Sequence, residues 1–203
     1  MVGPARPATA MRIAVVCSSN QNRSCEAHAL LQKSGYSVES FGVGATVKIP
    51  GTSREESNEY PFSVTYNEIY EDLCKKDREF YEKKGLLGMV DRNRQLKPKP
   101  ERFQDSKEFF DLIFTVEERI FDRIVEDSMN RSHDAGDDKI QQVININVED
   151  SLNSAAMGAK LILEIVQRID SDFEENGMDN LEEILLSVQE KSGRTILHTQ
   201  LLN

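Results

Sequence analysis

The segment VVCSSNQNRS, residues 15–24, sets Cys17 six positions ahead of Arg23. Those two residue types at that separation suit one kind of chemistry, the handling of a phosphoryl group. A loop of this length can curl until its backbone N–H groups converge into a nest for an anion. Here the nest would be built from Ser18, Ser19, Asn20, Gln21 and Asn22, closed by Arg23 and Ser24. If a helix opens at Arg23, its N-terminus adds roughly half a positive charge to the same spot. The guanidinium of Arg23 supplies a planar fork matched to two phosphate oxygens. Positive potential gathered over Cys17 favours a nucleophilic thiolate. Ser24 can donate a hydrogen bond to that sulfur and help it leave later. Asn20 tolerates a left-handed backbone and can tie the loop internally. The competing reading is structural: a cysteine at a strand end often serves as a small buried hydrophobe.

Transfer of phosphate to a cysteine also needs an acid for the leaving oxygen, then a base for water. That group must come from another loop at the same edge of the sheet. Asp150 follows the apolar run Val143–Val148 and precedes a long helical pattern, so it emerges at the correct end. Glu149 is its neighbour and rival. Asp150 could instead cap the helix that begins at Ser151.

The elements that would position these groups can be read from the apolar periodicity. Arg12–Val16 is a short β-branched run that predicts a buried strand. A helix is expected over Ser24–Lys33, stopped by Gly35, and a second strand over Tyr36–Phe41. This βαβ unit implies parallel strands and a right-handed crossover, with its first turn at Cys17. Ligands bind at such turns in open α/β sheets. The pattern breaks at Gly42 and Gly44. Thr65 and Glu68 then read as a capping box ahead of a helix presenting Tyr66, Ile69, Tyr70 and Leu73. A second short helix is expected over Asp77–Lys84. The basic stretch DRNRQLKPKPER follows, and the whole region of about 43–109 reads as an inserted helical cap over the strand ends. The α/β rhythm resumes with a strand over Phe110–Thr115 and a helix to Asp127, capped by Thr115 with Glu118. A polar loop at 130–139, the strand Val143–Val148 and a helix of almost five turns after Asp150 come next. An acidic connection, a helix near Leu181–Glu190 and an apolar tail Thr195–Leu202 end the chain. The expected fold is an open parallel α/β sheet with helices on both faces, in one domain from residue 11 to 203. Residues 1–10, MVGPARPATA, are expected to be disordered.

Composition narrows the possible partners. The 203 residues carry a formal net charge of −10, which argues against direct binding to a nucleic-acid backbone. No apolar run reaches the roughly 18 residues that a membrane-spanning helix needs. The three cysteines, Cys17, Cys25 and Cys74, cannot all pair and lack zinc-ligand spacing, so a reducing, intracellular compartment fits best.

With these residues in view, the chain closely resembles the family of RNA polymerase II C-terminal-domain serine phosphatases that act in mRNA 3′-end cleavage and polyadenylation. The likeness rests on VVCSSNQNRS with EAH after it, VKIPG at 47–51, DRN at 91–93, KPERFQD at 99–105, TVEERIFD at 115–122, VEDS around Asp150, and EKSGRTILHT at 190–199. It covers nearly everything after residue 10. The resemblance implies a low-molecular-weight tyrosine phosphatase-like fold, with Cys17 as nucleophile, Arg23 as phosphate ligand and Asp150 as general acid. It implies a peptide groove lined by Lys48, Pro50 and Met89, and a substrate of phosphoserine at the fifth heptad position followed by a cis prolyl bond. A symplekin-like scaffold as partner, work in the nucleus, and no metal or other cofactor are implied as well. Cys25 departs from the family's usual Met and reads as structural. Asn147 departs from a common acidic residue and leaves Asp150 the sole Asp of its loop.

Two other readings stay open at this stage. A low-molecular-weight tyrosine phosphatase, or the related arsenate reductase, usually carries a second loop cysteine where this chain has Asn22, and a Pro-bearing acid loop. A catalytically idle scaffold of the 3′-processing complex would keep the fold without needing Cys17, Arg23 and Asp150 intact.

Overall fold

The computed structural model describes residues 11–53, 56–130 and 139–202. The expectations for residues 1–10 and for most of the 130–139 loop fall outside the described residues.

The chain opens with β1 (Arg12–Cys17), α1 (Arg23–Lys33) and β2 (Ser37–Gly42), with β1 and β2 parallel and Ile13 opposite Val38. Every residue of β1 after Arg12 is buried, because the strand is covered on both faces. Ile13, Val15 and Cys17 face one hydrophobic core, and Ala14 and Val16 face another. This two-sided burial explains why the sequence shows an unbroken apolar run here and no alternation.

Two parallel strands extend the sheet: β5 (Leu112–Thr115) beside β1, and β6 (Ile140–Ile146) beside β5. The C-terminal tail differs from its expected role as an appendage. Residues Ile196–Leu202 form β7, which pairs antiparallel with β6 and completes the order β2-β1-β5-β6-β7. The sheet is therefore mixed, four parallel strands with an antiparallel edge. Alternation is hard to read in the tail because most of β7 is only half-buried, as an edge strand is.

Helix α5 (Leu152–Asn176) packs against α1 on one face of the sheet, and α6 (Leu181–Ser192) packs against α5. Helix α4 (Glu118–Asn130) covers the other face through Ile120 and Ile124. Truncating a fully buried side chain of the sheet, such as Phe114 to alanine, would cost roughly 3–5 kcal/mol. Two sequence expectations are corrected here. The residues read as an acidic connection after Ile169 continue α5 to Asn176. Helix α4 is not capped by Thr115, whose hydroxyl donates to Asn145 Oδ1 at 2.9 Å. Instead the Glu118 N–H donates to Asn147 Oδ1, from the neighbouring strand's end, at 2.9 Å.

Between β2 and β5 lies a separate layer with its own core of Val47, Ile49, Tyr66, Ile69, Leu73 and Val90. A short antiparallel hairpin, β3 (Val47–Pro50) with β4 (Ser57–Tyr60), begins it. The capping box forms as expected, with Thr65 and Glu68 bonded reciprocally at the start of α2 (Tyr66–Lys83). The two expected helices both form within this span, separated at Asp77, whose backbone is non-helical (φ −164°, ψ 86°) and whose carboxylate caps the second by accepting from the Phe80 N–H at 3.0 Å. Helix α3 (Leu86–Leu96) occupies much of what reads in sequence as a basic stretch.

Candidate active site

Cys17 ends β1 and Arg23 begins α1, so residues 18–22 make the first βα turn of the sheet. When N–H groups converge on an anion, the carbonyls behind them point away and need donors of their own. This chain supplies them. Val43 N–H donates to Cys17 O at 3.0 Å, and Gly44 N–H to Ser18 O at 2.8 Å. Tyr66 Oη donates to Asn20 O, with the Cys25 thiol also donating there at 3.3 Å. Gln21 O accepts from Arg92 at 3.0 Å and from Asn93 at 2.7 Å. Asn22 O accepts from Glu26 N–H at 2.9 Å and Arg92 at 3.3 Å. The DRN motif thus buttresses the loop from behind, a role that its charge alone does not reveal. Gly42 is required by close approach, since a Cβ there would meet Ser18 O at 2.8 Å.

Asn20 is the one non-glycine residue with positive φ (49°) among the described residues. Such a backbone costs most side chains more than asparagine, and this one is held from several sides. Its amide nitrogen donates to Ser24 Oγ and Ser40 Oγ, both at 3.1 Å, and its Oδ1 accepts from Glu101 N–H at 2.9 Å. Behind Ser40 sits His28, with Nδ1 at 3.0 Å from the same hydroxyl. Burial, with the Lys97 cation second, lowers the His28 pKa to about 4, so the ring is neutral at pH 7. Burial likewise pushes the Cys25 thiol and the Tyr66 phenol up, which keeps both neutral behind the loop.

At the front of the loop, Cys17 Sγ accepts the Asn20 N–H at 3.2 Å and lies 3.0 Å from Ser24 Oγ. Asn22 occupies the N-cap position of α1 but makes no side-chain capping bond. Its Nδ2 donates instead to Asp150 Oδ1 at 2.9 Å. Ser151, not Asp150, caps α5, accepting from Ser154 N–H at 3.1 Å. Asp150 is thus released from the capping role that sequence allowed it. Its other oxygen, Oδ2, lies 3.5 Å from Arg23 Nη2. Glu149 is turned elsewhere, accepting from Ser154 Oγ at 3.4 Å.

Arg23 is 6% exposed. Its Nη1 donates to Val148 O at 2.8 Å and faces Glu117 Oε2 at 3.4 Å. Its Nε is buried with no partner. A guanidinium anchored on one side with a buried donor unspent on the other is poised for an oxyanion.

Two grooves meet at this point. One, about 650 Å³, is lined by Gln21, Asn22, Lys48, Pro50, Met89 and Asp150. The other, about 610 Å³, runs past Ser18, Ser19, Arg23, Glu117 and Arg119, and shares Lys48 and Asp150. The structure therefore brings Lys48, Pro50 and Met89 to the wall of a groove that reaches Asp150. Met89 is buried in that wall, while Lys48 is exposed and paired with Glu59 at 2.9 Å. Glu117 escapes a reading of the sequence; its one signal there is its position just after β5, at the same sheet edge.

A mostly parallel α/β sheet with Cys17 and Arg23 flanking its first βα turn and the Asp150 carboxylate beside Arg23 has the form of a cysteine-dependent phosphatase. Residues 11–202 match the family described as Ssu72-like protein. The chain belongs to that family. It is 48% identical over 193 residues to the RNA polymerase II C-terminal domain phosphatase SSU72 of Bos taurus, covering 95% of this chain and 97% of the relative. The Homo sapiens protein of the same name is 47% identical over 193 residues, with the same coverage. The fold is similar to the crystal structure of the serine phosphatase of the RNA polymerase II C-terminal domain from Drosophila melanogaster. The TM-score is 0.90 at 42% identity, covering 95% of this chain and 100% of that one. The D. melanogaster Ssu72–symplekin complex, bound to a cis peptidomimetic of the C-terminal domain with phosphoserine at the fifth position, gives 0.89 at 40% identity, covering 95% and 98%.

Proposed function

We propose that this chain is a protein serine phosphatase that removes phosphate from the fifth-position serine of RNA polymerase II C-terminal-domain heptads. The observation that carries the chemistry is Arg23, fixed by Val148 O, with its buried Nε unspent and its Nη2 3.5 Å from Asp150 Oδ2. The relatives named above supply the substrate class, and the groove holding Lys48, Pro50 and Met89 is where its prolyl flank would lie.

The reaction proceeds in two displacements. The phosphate oxygens enter the nest and take the Arg23 donors, displacing the Asp150 contact. The Cys17 thiolate attacks phosphorus in line with the serine oxygen, forming the S–P bond as the P–O bond breaks. Asp150 delivers its proton to the departing serine oxygen. Water then enters, gives its proton to Asp150 and attacks phosphorus. The S–P bond breaks, Ser24 Oγ stabilises the returning thiolate, and inorganic phosphate leaves. The residues named carry every proton and electron pair of this sequence. A symplekin-like scaffold as partner and action in the nucleus, in transcription termination and 3′-end formation, follow for this chain from its kinship with the Drosophila complex.

The test uses a phosphoserine-proline heptad peptide with excess enzyme. The Ser-Pro bond of a disordered peptide is roughly 10–30% cis and exchanges in tens to hundreds of seconds. A cis-selective groove gives a fast burst of that size, then a slow phase that ignores enzyme concentration and accelerates with a prolyl isomerase. One enzyme-dependent phase consuming all substrate would refute cis selection. Preference for a phosphotyrosine peptide would return the chain to the tyrosine phosphatase reading, and no hydrolysis of either to the scaffold reading.

A further inference from the structure

Glu117 stands just after β5 (Leu112–Thr115), on the second βα turn of the sheet, and α4 begins with the next residue. Its Oε2 lies 3.4 Å from Arg23 Nη1 and 3.5 Å from Arg23 Nη2. Its Oε1 is ion-paired with Arg119 Nε, and Oε2 accepts from Arg119 Nη2 at 3.3 Å. The two arginines differ sharply in surroundings: the Arg23 side chain is 6% exposed and that of Arg119 is 70% exposed.

A carboxylate beside an anion site is costly on Coulomb grounds alone, because it repels the phosphate it adjoins. Its presence calls for a compensating gain in geometry. The Arg23 side chain reaches the nest from the first turn of α1, and its guanidinium could rotate about its long axis. Val148 O holds Nη1 at one point, which fixes position without fixing the plane. Glu117 Oε2, bridging Nη1 and Nη2, is a second point, beside the Asp150 Oδ2 contact to Nη2 at 3.5 Å that phosphate displaces. Together they fix the guanidinium plane and leave its buried Nε without a partner on the remaining edge. Arg119 in turn tethers Glu117, so the orientation is braced from the solvent side.

We infer that Glu117 is a positioning residue for the phosphatase reaction, setting the plane of Arg23 so that its fork meets the phosphate; this rests on the phosphatase reading above. Glu117 touches no reacting atom and gives or takes no proton. Bidentate recognition depends on alignment, and small misplacement at a reacting centre can cost up to about 100-fold.

The test compares the full chain with Glu117→Gln, which keeps side-chain size and removes charge. Two quantities are read: inorganic phosphate affinity by calorimetry, and KM and kcat for the phosphoserine peptide, with thermal melting confirming folding. Positioning predicts phosphate binding weakened roughly 10-fold and KM raised in parallel, with a smaller fall in kcat. It also predicts that Glu117→Gln changes phosphate affinity far less in an Arg23→Lys background, where no planar fork remains to be oriented. Unchanged or tighter phosphate binding by Glu117→Gln is what loss of a repelling charge alone would give, and it overturns the inference. An equal loss in the Arg23→Lys background overturns it too. If the unmodified chain neither binds phosphate nor hydrolyses the peptide, the phosphatase reading falls with it. A normal parent and an indifferent variant remove Glu117 alone.

Discussion

The Nδ2 amide of Asn22 donates to Asp150 Oδ1 over 2.9 Å, joining the first βα turn to the loop ahead of α5 across 128 positions of sequence. Asp150 has a half-exposed side chain and no capping role at α5, so this bond is what fixes one of its oxygens. The fixed oxygen leaves Oδ2 facing Arg23 Nη2 at 3.5 Å. Asn22 thus orients the Asp150 carboxylate.

Loss of this tether should show in proton delivery before it shows in binding. Asn22→Ala is expected to lower kcat on a phosphoserine peptide roughly 10- to 100-fold, within the range that general acid catalysis contributes. An aryl phosphate with a good leaving group needs little protonation, so its kcat should fall only a few-fold. The ratio of the two rate losses is the measurement. Equal losses on both substrates would mean that Asn22 supports the loop as a whole and not the acid.

His28 gives the loop a pH limit from behind. Its pKa falls from about 6.5 unfolded to about 4 folded, through burial first and the Lys97 cation second. The unfolded chain therefore binds more protons between those values, and stability rises with pH across the window. The contribution is complete above pH 6.5 and is lost as pH falls toward 4. It amounts to about 3 kcal/mol at most, at about 1.4 kcal/mol per pKa unit. Urea unfolding of the parent and of His28→Gln between pH 7 and 5 reads it. The variant should lose stability more slowly on acidification, and parallel curves would contradict the assignment.

How much of this can be read from sequence depends on whether the signal is local. The Cys17–Arg23 spacing, the strand before it and the helix after it are local, and their geometry follows from the βα turn itself. The capping box at Thr65 and Glu68 is local too. Asn147 as the cap of α4 is not visible, because its partner N–H lies on a neighbouring strand's exit 29 positions away. Helix α3 is hidden by charge: Arg92 and Arg94 read as a solvated stretch, although Asn93 between them is fully buried against Gln21 O. Strand β7 escapes for a related reason, since an edge strand against a sheet is only half apolar. Glu117 reads as an ordinary helix-start acid until Arg23 is seen beside it.

Asn93 offers a direct check on the buttress. Its Nδ2 donates to the buried Gln21 O at 2.7 Å. Asn93→Leu keeps the branched side-chain shape but removes both this donor and the Oδ1 that accepts from Arg92, the other partner of that carbonyl. The expected cost is about 1–3 kcal/mol in thermal or urea unfolding, the usual penalty for an under-satisfied buried polar group. Phosphate affinity should fall with it, because the carbonyl and the next N–H of the nest turn together. An unaltered affinity would separate the buttress from the nest.

Thiol chemistry separates the three cysteines. Burial raises the Cys25 pKa, and its sulfur is enclosed by Asn20 and Tyr66, so alkylation there should be slow. Cys17 is 3% exposed, and its Sγ sits among the groups of the proposed nest, against Asn20 N–H and Ser24 Oγ. Inorganic phosphate should therefore slow alkylation at Cys17 and leave the rate at half-buried Cys74 unchanged. Peptide mass mapping after iodoacetamide treatment reads all three rates, and equal protection of Cys74 would show that phosphate acts by general stabilisation.

The proposed reaction passes the phosphoryl group through Cys17. Asp150→Asn, which cannot activate water, should accumulate that intermediate from an aryl phosphate, whose good leaving group departs without the Asp150 proton. The variant is mixed with the aryl phosphate, quenched within one turnover, digested and weighed by mass spectrometry. One added phosphoryl group is expected on the peptide containing Cys17, absent from the variant that carries both Cys17→Ser and Asp150→Asn. Dephosphorylated substrate released with no phosphoryl group ever found on Cys17, or one found on another residue, would contradict it.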